Sequence, residues 1–480
     1  MTTSHPPIPG DLKATMAARR RTIMASMVGT TIEWYDFFIY GSVAALVFGE
    51  VFFPSVDPVA GTLLSLATFG VGFIARPVGG IIFGHLGDKY GRKNSLVLTI
   101  ILMGVATVAI GLLPTYDAIG IAAPLLLVLC RLVQGIGLGG EWGGAVLMVV
   151  EQDAPSHRGR AASWTQSATP LGFLLSTGTL AVVSALTTEA EFNSWGWRIP
   201  FLLSAPLVLL GMLIRLKVAE SPIFARELER TKAVARKKSP MMTVIRKAPQ
   251  MILLVVLLGI GQQVAYFVLN VFSLSYLTQN TEISRSTILN AVAIGAVAQG
   301  LSILFWGRVT DRVGRRIPFV IGSIGMGVWA FAIYPLLTTG NFGLMVLALA
   351  VAMFFQGAMF GVLAVYVAEL FDTGVRYSGV SLGYQLVGVV GGGFAPLIAS
   401  ALVTSTDSVN SVAVYLAAMC LLTLIGVAFA PETFRRDLEK SYSTSTVTTT
   451  DHQESADIDS AATGLEGTMR TDAQRTSTVS

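Results

Sequence analysis

The sequence predicts an all-α polytopic membrane protein, with twelve transmembrane helices arranged as two pseudo-symmetric six-helix bundles. Composition is the first reason. Of 480 residues, 53% are hydrophobic and 13% charged, whereas soluble domains carry about 25% charged residues. The second reason is the recurrence of apolar runs, since a span needs roughly 20 mostly apolar residues. The third is an internal repeat: GHLGDKYGRK at 84–93 returns as GRVTDRVGRR at 307–316.

The runs fall near 22–52, 61–83, 95–113, 121–150, 161–186, 197–216, 250–278, 287–306, 318–338, 343–369, 378–403 and 411–430. Basic residues between them sort by side. Arg19, Arg20, Arg21, Lys89, Arg92, Lys93, Arg158 and Arg160 fall on one side, as do Arg226 to Lys247, Arg308, Arg312, Arg315, Arg316, Arg376, Arg435 and Arg436; Arg198 and Arg285 fall on the other. By the positive-inside rule both termini are cytoplasmic, in an inner or plasma membrane, which requires an even number of spans. The start, MTTSHPPIPGDLKATMAARRR, has no apolar core ahead of a cleavage site, so no cleaved signal peptide is expected.

Residues 1–21 therefore read as a cytoplasmic N-terminal segment, 22–216 as the first bundle and 250–430 as the second. The basic stretch 217–249 reads as a cytoplasmic linker at the inner leaflet. The tail 431–480, rich in Ser, Thr and Asp, is expected to be disordered. The net charge of +4 comes from basic residues at membrane edges and does not point to nucleic acid. Cys130 and Cys420 lie in apolar runs, which favours packing over a disulfide or a metal site.

The repeat extends beyond one loop. Gly84, Asp88, Gly91 and Arg92 align with Gly307, Asp311, Gly314 and Arg315, each 223 apart; Gln134-Gly135 aligns with Gln356-Gly357, 222 apart; and Glu151 and Arg158 align with Glu369 and Arg376, 218 apart. Parallel repeats related by an axis along the membrane normal build one large class of transporters. The loop resembles the signature of the major facilitator superfamily, G-x-x-x-D-x-x-G-R-K/R, and does so in both halves. EWYDFFIYG at 33–41, ARPVGGIIFGHLGDKYGRK at 75–93 and RLVQGIGLGGEWGGA at 131–145 further resemble the metabolite:proton symporters, which carry shikimate, 2-oxoglutarate, citrate, and proline or betaine. FPSVDP and GLLPTY look most like the shikimate-type branch. The resemblance covers essentially residues 22–430.

The resemblance implies the major facilitator fold. It implies a secondary transporter, not an enzyme, that imports a small carboxylate such as shikimate together with protons. The alternative is a zwitterionic osmolyte such as proline or glycine betaine. No cofactor is expected, the proton gradient supplying the energy. The resemblance also implies a gating latch. Asp88 would meet the start of span 11 near Tyr377 and Ser378, and Asp311 the start of span 5 near Arg160. Arg92 would pair with Glu151 and Arg315 with Glu369, with Arg158 and Arg376 in the same groups.

Individual residues suggest where the chemistry lies. Span 1 carries Glu33 and Asp36 near its middle, where an aspartate costs about +2.5 to +3.5 kcal/mol. The two lie on one helical face, about 60° apart, with Gly29 and Tyr40 continuing the stripe. Such a stripe calls for a polar cavity walled by the other spans. A proton site must titrate near ambient pH. Burial or a second carboxylate moves a carboxyl group toward that range, and a neighbouring arginine opposes the shift. Asp36, nearer the midplane, is the favoured proton carrier, followed by Glu33.

In span 4, Arg131, Gln134 and Glu141 share a face, and Gly135, Gly139 and Gly143 form a small-xxx-small row for close helix approach. Depth allows Glu33 to meet Arg76 and Asp36 to meet Arg131, without establishing contact. The second half offers neutral groups: Gln262, Gln263, Tyr266 and Asn270 in span 7, Gln356 and Tyr366 in span 10, and Tyr384 and Gln385 in span 11. Arginine would fix an anion while amides and hydroxyls position its neutral end. The expected substrate set is Arg131, Arg76, Glu141, Gln134, Tyr40, Gln263, Tyr266, Asn270, Tyr366 and Gln385. The glycines at 388 and 391–393 suggest a bend. An ATP-driven pump is excluded by the lack of GxxxxGK[ST]. An intramembrane aspartyl protease lacks a second aspartate at matching depth, and a channel leaves the paired loops unexplained.

Overall fold

The computed structural model describes residues 9–90, 92–139, 142–151, 153–217, 249–371 and 376–436, with side chains throughout except at 9–23, 25–26, 84–85, 87–90, 92–96, 145, 148, 214–217 and 377. Residues 218–248 of the expected linker 217–249 and most of the tail lie outside these residues.

The described chain is helical, with no strands. In order it forms α1 (Pro9–Val43, continuing through the π-helical turn Ala44–Phe48 to Gly49–Phe52), α2 (Pro58–Tyr90), α3 (Arg92–Leu112), α4 (Ala122–Leu138, then Trp142–Val150), α5 (Arg158–Gln166 and Ala168–Leu186) and α6 (Ser204–Lys217, led in by Glu189–Leu202). The second half forms α7 (Pro249–Phe267, π-helical Val268–Phe272, then Ser273–Asn280), α8 (Arg285–Val313), α9 (Arg316–Leu337), α10 (Phe342–Leu370), α11 (Arg376–Val387, π-helical Gly388–Gly393, Ala395–Thr406) and α12 (Asn410–Phe429). Among the described residues eleven helices are long and apolar enough to cross a membrane; α3, with its shorter apolar stretch Val97–Leu112, completes the twelve.

Exposed leucines, isoleucines and valines cover the outside, as a lipid-facing surface requires, while buried polar groups line the inside. Within the first half α1 packs on α5 and α6, and α2 and α3 pack on α4; within the second, α8 and α9 pack on α10, and α7 and α9 on α12. Between halves α8 lies on α5, and α2 lies on the π-helical part of α11. That last approach needs glycine: a Cβ at Gly70 would sit 2.9 Å from the Gly393 carbonyl oxygen.

Three boundaries differ from the sequence reading. α1 begins at Pro9, inside the segment read as a cytoplasmic leader. The lead-in to α6 starts at Glu189 because Thr188 and Glu191 form a capping box: Thr188 N donates to Glu191 Oε2 at 2.8 Å and Glu191 N to Thr188 Oγ1 at 3.3 Å. The Gly388–Gly393 run widens into a π-helix rather than simply bending.

Candidate functional site

One end of the molecule carries the repeated loops, and there the two halves are tied by charge. Asp311, in the last turn of α8, accepts from the backbone N–H of Gly159 and of Arg160, both at 2.8 Å. A carboxylate on the first amides of α5 satisfies donors the helix cannot satisfy itself and meets the positive end of its dipole. Arg315 forms a two-pronged pair with Glu369, Nε to Oε2 at 3.0 Å and Nη2 to Oε1 at 2.9 Å, and also reaches Asp311 at 3.1 Å. Burial alone would lower the Arg315 pKa; the Glu369 and Asp311 carboxylates outweigh it and hold the value above that of a free guanidinium.

Two further pairs cross between halves in reciprocal fashion: Arg158 with Glu369 at 3.9 Å and Arg376 with Glu151 at 3.2 Å. Each half's arginine thus takes the other half's repeat-equivalent glutamate. The side chains of Asp88 and Arg92 lie outside the described residues, so the first-half counterpart of the Asp311–Arg315 arrangement is not described.

The segment after α12 completes this end. Glu432 accepts from Arg315 N at 2.9 Å and Arg316 N at 3.1 Å, capping α9. Thr433 donates to Glu369 Oε2 at 2.7 Å, and Arg436 Nη1 to the Glu369 carbonyl at 2.9 Å. Gly314 gives the strand of chain its turn, with φ of 93°, and a Cβ there would fall 2.7 Å from Glu432 Oε2. Residues 431–436, read as the start of a disordered tail, are therefore docked. Tyr366 is also corrected. It was expected in the substrate set, but it lies one turn from Glu369, near the end of α10, and its hydroxyl donates to the Pro431 carbonyl at 2.9 Å.

At mid-height the charged residues are buried, and Asp36 does not pair with Arg131. Asp36 is 1% exposed and accepts from Ser204 Oγ at 2.5 Å. With Gly29 and Glu33 it lines a small pocket against α3 and α6, bounded by Ile100, Met103 and Val208. The stripe thus faces into the first half rather than a cavity shared by all the spans. Arg131 does not contact Asp36. Its Nη1 donates to Gln134 Oε1 at 3.0 Å and its Nη2 to the Phe69 carbonyl at 3.4 Å. The Tyr40 ring lies under Arg131, 4.2 Å from centroid to guanidinium carbon, and the Tyr40 hydroxyl donates to Thr68 at 2.6 Å. Glu141 lies outside the described residues.

Between the halves sits an aromatic cluster that the sequence reading did not single out. Phe37 and Phe73 of the first half meet Phe267 of the second at 6.4 and 5.2 Å between centroids, and Phe38 meets Tyr266 at 5.4 Å. Both arginines lie over the Phe37 ring, Arg131 at 4.3 Å and Arg76 at 4.9 Å. Arg76 also lies over Phe73 and is in electrostatic reach of Glu33 and Tyr384. Its Nε and Nη1 are buried and make no hydrogen bond among the described residues; Nη1 looks toward Gly388 of α11, where a Cβ would be 3.5 Å away. The Tyr266 hydroxyl, Asn270 Oδ1 and Gln385 Oε1 are likewise buried without a partner among the described residues. Gln385 Nε2 crosses to the Gly139 carbonyl at 2.7 Å, and Trp142 stacks on Tyr384 at 3.5 Å. Gln263 accepts from Gln262 at 2.9 Å.

A profile of the family described as "Sugar (and other) transporter" matches residues 21–443. The chain belongs to this family of major facilitator transporters. It is similar to the shikimate transporter of Escherichia coli K12, 40% identical over 420 residues covering 86% of this chain and 95% of that one. It is similar to the proline/betaine transporter of the same strain, 35% identical over 434 residues covering 88% of this chain and 85% of the relative. Among solved structures, the XylE proton:xylose symporter of E. coli superposes with a TM-score of 0.70 at 20% identity, covering 88% of this chain and 98% of that one. The protein is thus a multi-pass membrane transporter of small molecules rather than an enzyme.

Within this transporter, the sequence signals for the missed residues were present. The aromatics flank the span 1 carboxylates in EWYDFFIY, and PETFRR directly follows the last span.

Proposed function

We propose that the transporter is a proton-coupled symporter that imports a small carboxylate of the shikimate type by alternating access, with the repeated-loop end and both termini in the cytoplasm of a cell membrane. The observation that carries this reading is Arg76. A buried guanidinium with two N–H edges unpartnered among the described residues, set between the halves and framed by aromatic rings, is a site for an anion. Tyr266, Asn270 and Gln385 supply the hydroxyl and amides for the neutral part of the substrate. The proton goes to Asp36, which is separate from that site and has no arginine contact in this conformation. Asp311, Arg315, Glu369, Arg158, Arg376 and Glu151, with Asp88 and Arg92 by repeat symmetry, hold the cytoplasmic end shut until the substrate is bound. Breaking contacts of this kind shifts the inward–outward balance several-fold, each helix-end carboxylate being worth about 0.3–2 kcal/mol.

The rings around Arg76 also favour a second reading, since such a cage accepts a quaternary ammonium. Uptake into proteoliposomes separates the two. Labelled shikimate, citrate, proline and glycine betaine are offered under an inward proton gradient. Carboxylate uptake is expected, falling more than tenfold in Arg76→Leu. Uptake of betaine alone, unaffected by Arg76→Leu, would replace the carboxylate reading with the osmolyte one.

A further inference from the structure

Two buried amides of the second half are fixed in polarity as well as position, because each donates to a backbone carbonyl. Gln385 Nε2 donates to the Gly139 carbonyl at 2.7 Å, and Asn270 Nδ2 to the Tyr266 carbonyl at 2.9 Å. A carbonyl only accepts, so the atom facing it is nitrogen in both cases and the atom left over is oxygen. Gln385 Oε1 and Asn270 Oδ1 are buried without a hydrogen-bond partner among the described residues, and the two residues are 3% and 0% exposed. A buried acceptor without a donor is costly, so each oxygen calls for a group that brings a proton.

Gln385 stands beside Arg76. Gly388 follows it at i+3 on the same face of α11. Arg76 Nη1 lies 3.5 Å from where a Cβ on Gly388 would be. Gly139, which takes the Gln385 amide, packs so closely on the Arg76 carbonyl that a Cβ there would overlap it. Contacts through α11 and through α4 thus both lead from Gln385 to Arg76. Asn270 is one turn beyond Tyr266 on α7, and the intervening Phe267 packs on Phe37 and Phe73, the rings against which Arg76 lies. The unpartnered groups gathered here are N–H donors on Arg76, oxygen acceptors on Gln385 and Asn270, and the Tyr266 hydroxyl.

We propose that Gln385 is a specificity-determining residue whose Oε1 accepts a hydroxyl proton from the substrate, so that the carrier selects hydroxylated carboxylates. The inference rests on Arg76 being the anion site. The guanidinium takes the carboxylate, and a hydroxyl of the same molecule donates to Gln385 Oε1. Asn270 offers the same kind of oxygen from α7. A trimethylated ammonium has no proton to give and leaves Gln385 Oε1 unpaired. A protonated amine has one, but it brings a positive charge next to a buried guanidinium, where like charges repel strongly. A hydroxyl donates without that cost. An acid of the same shape without hydroxyls reaches the arginine and strands the acceptor, which is how a hydrogen-bonding site rejects an apolar analogue.

Isothermal titration of the purified full-length transporter tests this with three probes: shikimate, cyclohexene-1-carboxylate, which keeps the ring and the carboxylate but has no hydroxyls, and proline. The wild type should bind shikimate at least about tenfold more tightly than either of the others. In Gln385→Met the preference for shikimate over cyclohexene-1-carboxylate should shrink at least about threefold, through weaker binding of shikimate alone. Arg76→Leu should weaken both acids alike, which checks the anion site separately. If shikimate binds the wild type no more tightly than cyclohexene-1-carboxylate or proline, the inference fails, and this comparison stands whether or not Gln385→Met folds. If Gln385→Met weakens both acids equally, Gln385 does not read a hydroxyl and the inference also fails. If Arg76→Leu binds both acids as the wild type does, the anion-site reading itself falls.

Discussion

Gln134 of α4 and Gln356 of α10 occupy matching positions in the two halves, and each sits at the centre of a buried polar network. In the first half Gln134 lies between Arg131 and Thr107, and Thr107 donates to the Met103 carbonyl at 2.9 Å. In the second, Gln356 accepts from Gln299 at 2.7 Å and donates to Gln262 Oε1 at 3.1 Å, and Gln262 passes on to Gln263 at 2.9 Å. One chain of hydrogen bonds starts from a guanidinium, and the other is made of amides alone. The glycine that follows each glutamine does the same job in both halves, letting α4 close on α2 at Gly135 and α10 close on α8 at Gly357. The repeat has therefore kept the scaffold and changed what it carries. The first half carries buried ionisable groups, while the second offers an uncharged surface against them.

The gate breaks the symmetry differently, and the largest expected effect lies there. Glu369 and Arg315 are both 0% exposed at their side chains, whereas Glu151 is 48% exposed. Glu369→Gln leaves the buried Arg315 guanidinium with Asp311 as its remaining carboxylate and should cost up to about 3 kcal/mol, whereas Glu151→Gln should cost less than about 1 kcal/mol. Thermal unfolding in detergent measures both. Equal shifts would mean that the two reciprocal pairs are equivalent after all.

A smaller contrast concerns the paired glycines. A methyl group at Gly135 runs into the Gly72 backbone carbonyl, while one at Gly357 meets the Ser302 hydroxyl at 2.5 Å. The Gly72 carbonyl is backbone, whereas the Ser302 hydroxyl can turn aside and leaves a milder contact with its Cβ at 2.8 Å. Gly135→Ala should cost about 1–3 kcal/mol, with Gly357→Ala the milder of the two, again by thermal unfolding. The reverse order would show that α8 and α10 are packed more rigidly than α2 and α4.

The fold was legible because its signals are long-range and redundant: apolar runs, the sidedness of arginine and lysine, and a repeat in register. Asp311 and Arg315 could be placed because their loop resembles the major facilitator signature, which implies a helix-end partner for the one and a glutamate for the other. The interior was harder. Depth along a helix gave Asp36 and Arg131 the same level, but neighbouring side chains decide which way each turns, and here Arg131 turns to Gln134 and Asp36 to Ser204. Tyr366 was misplaced because a helix of 29 residues runs well past the membrane centre, which carries its last turns to the gate. The docking of Glu432 and Thr433 had no periodic pattern to reveal it; only an acid near uncapped amides of α9 marks it.

The central claim is that the proton site at Asp36 and the anion site at Arg76 are distinct and coupled. Proteoliposomes test it most directly. In Asp36→Asn, a neutral amide standing for the protonated acid, accumulation of labelled shikimate driven by a pH gradient should be lost, while exchange of labelled for unlabelled shikimate across the membrane continues at a comparable rate. Retention of proton-driven accumulation in both Asp36→Asn and Glu33→Gln would contradict the account, because the carboxylates of α1 would then not be where the proton is carried.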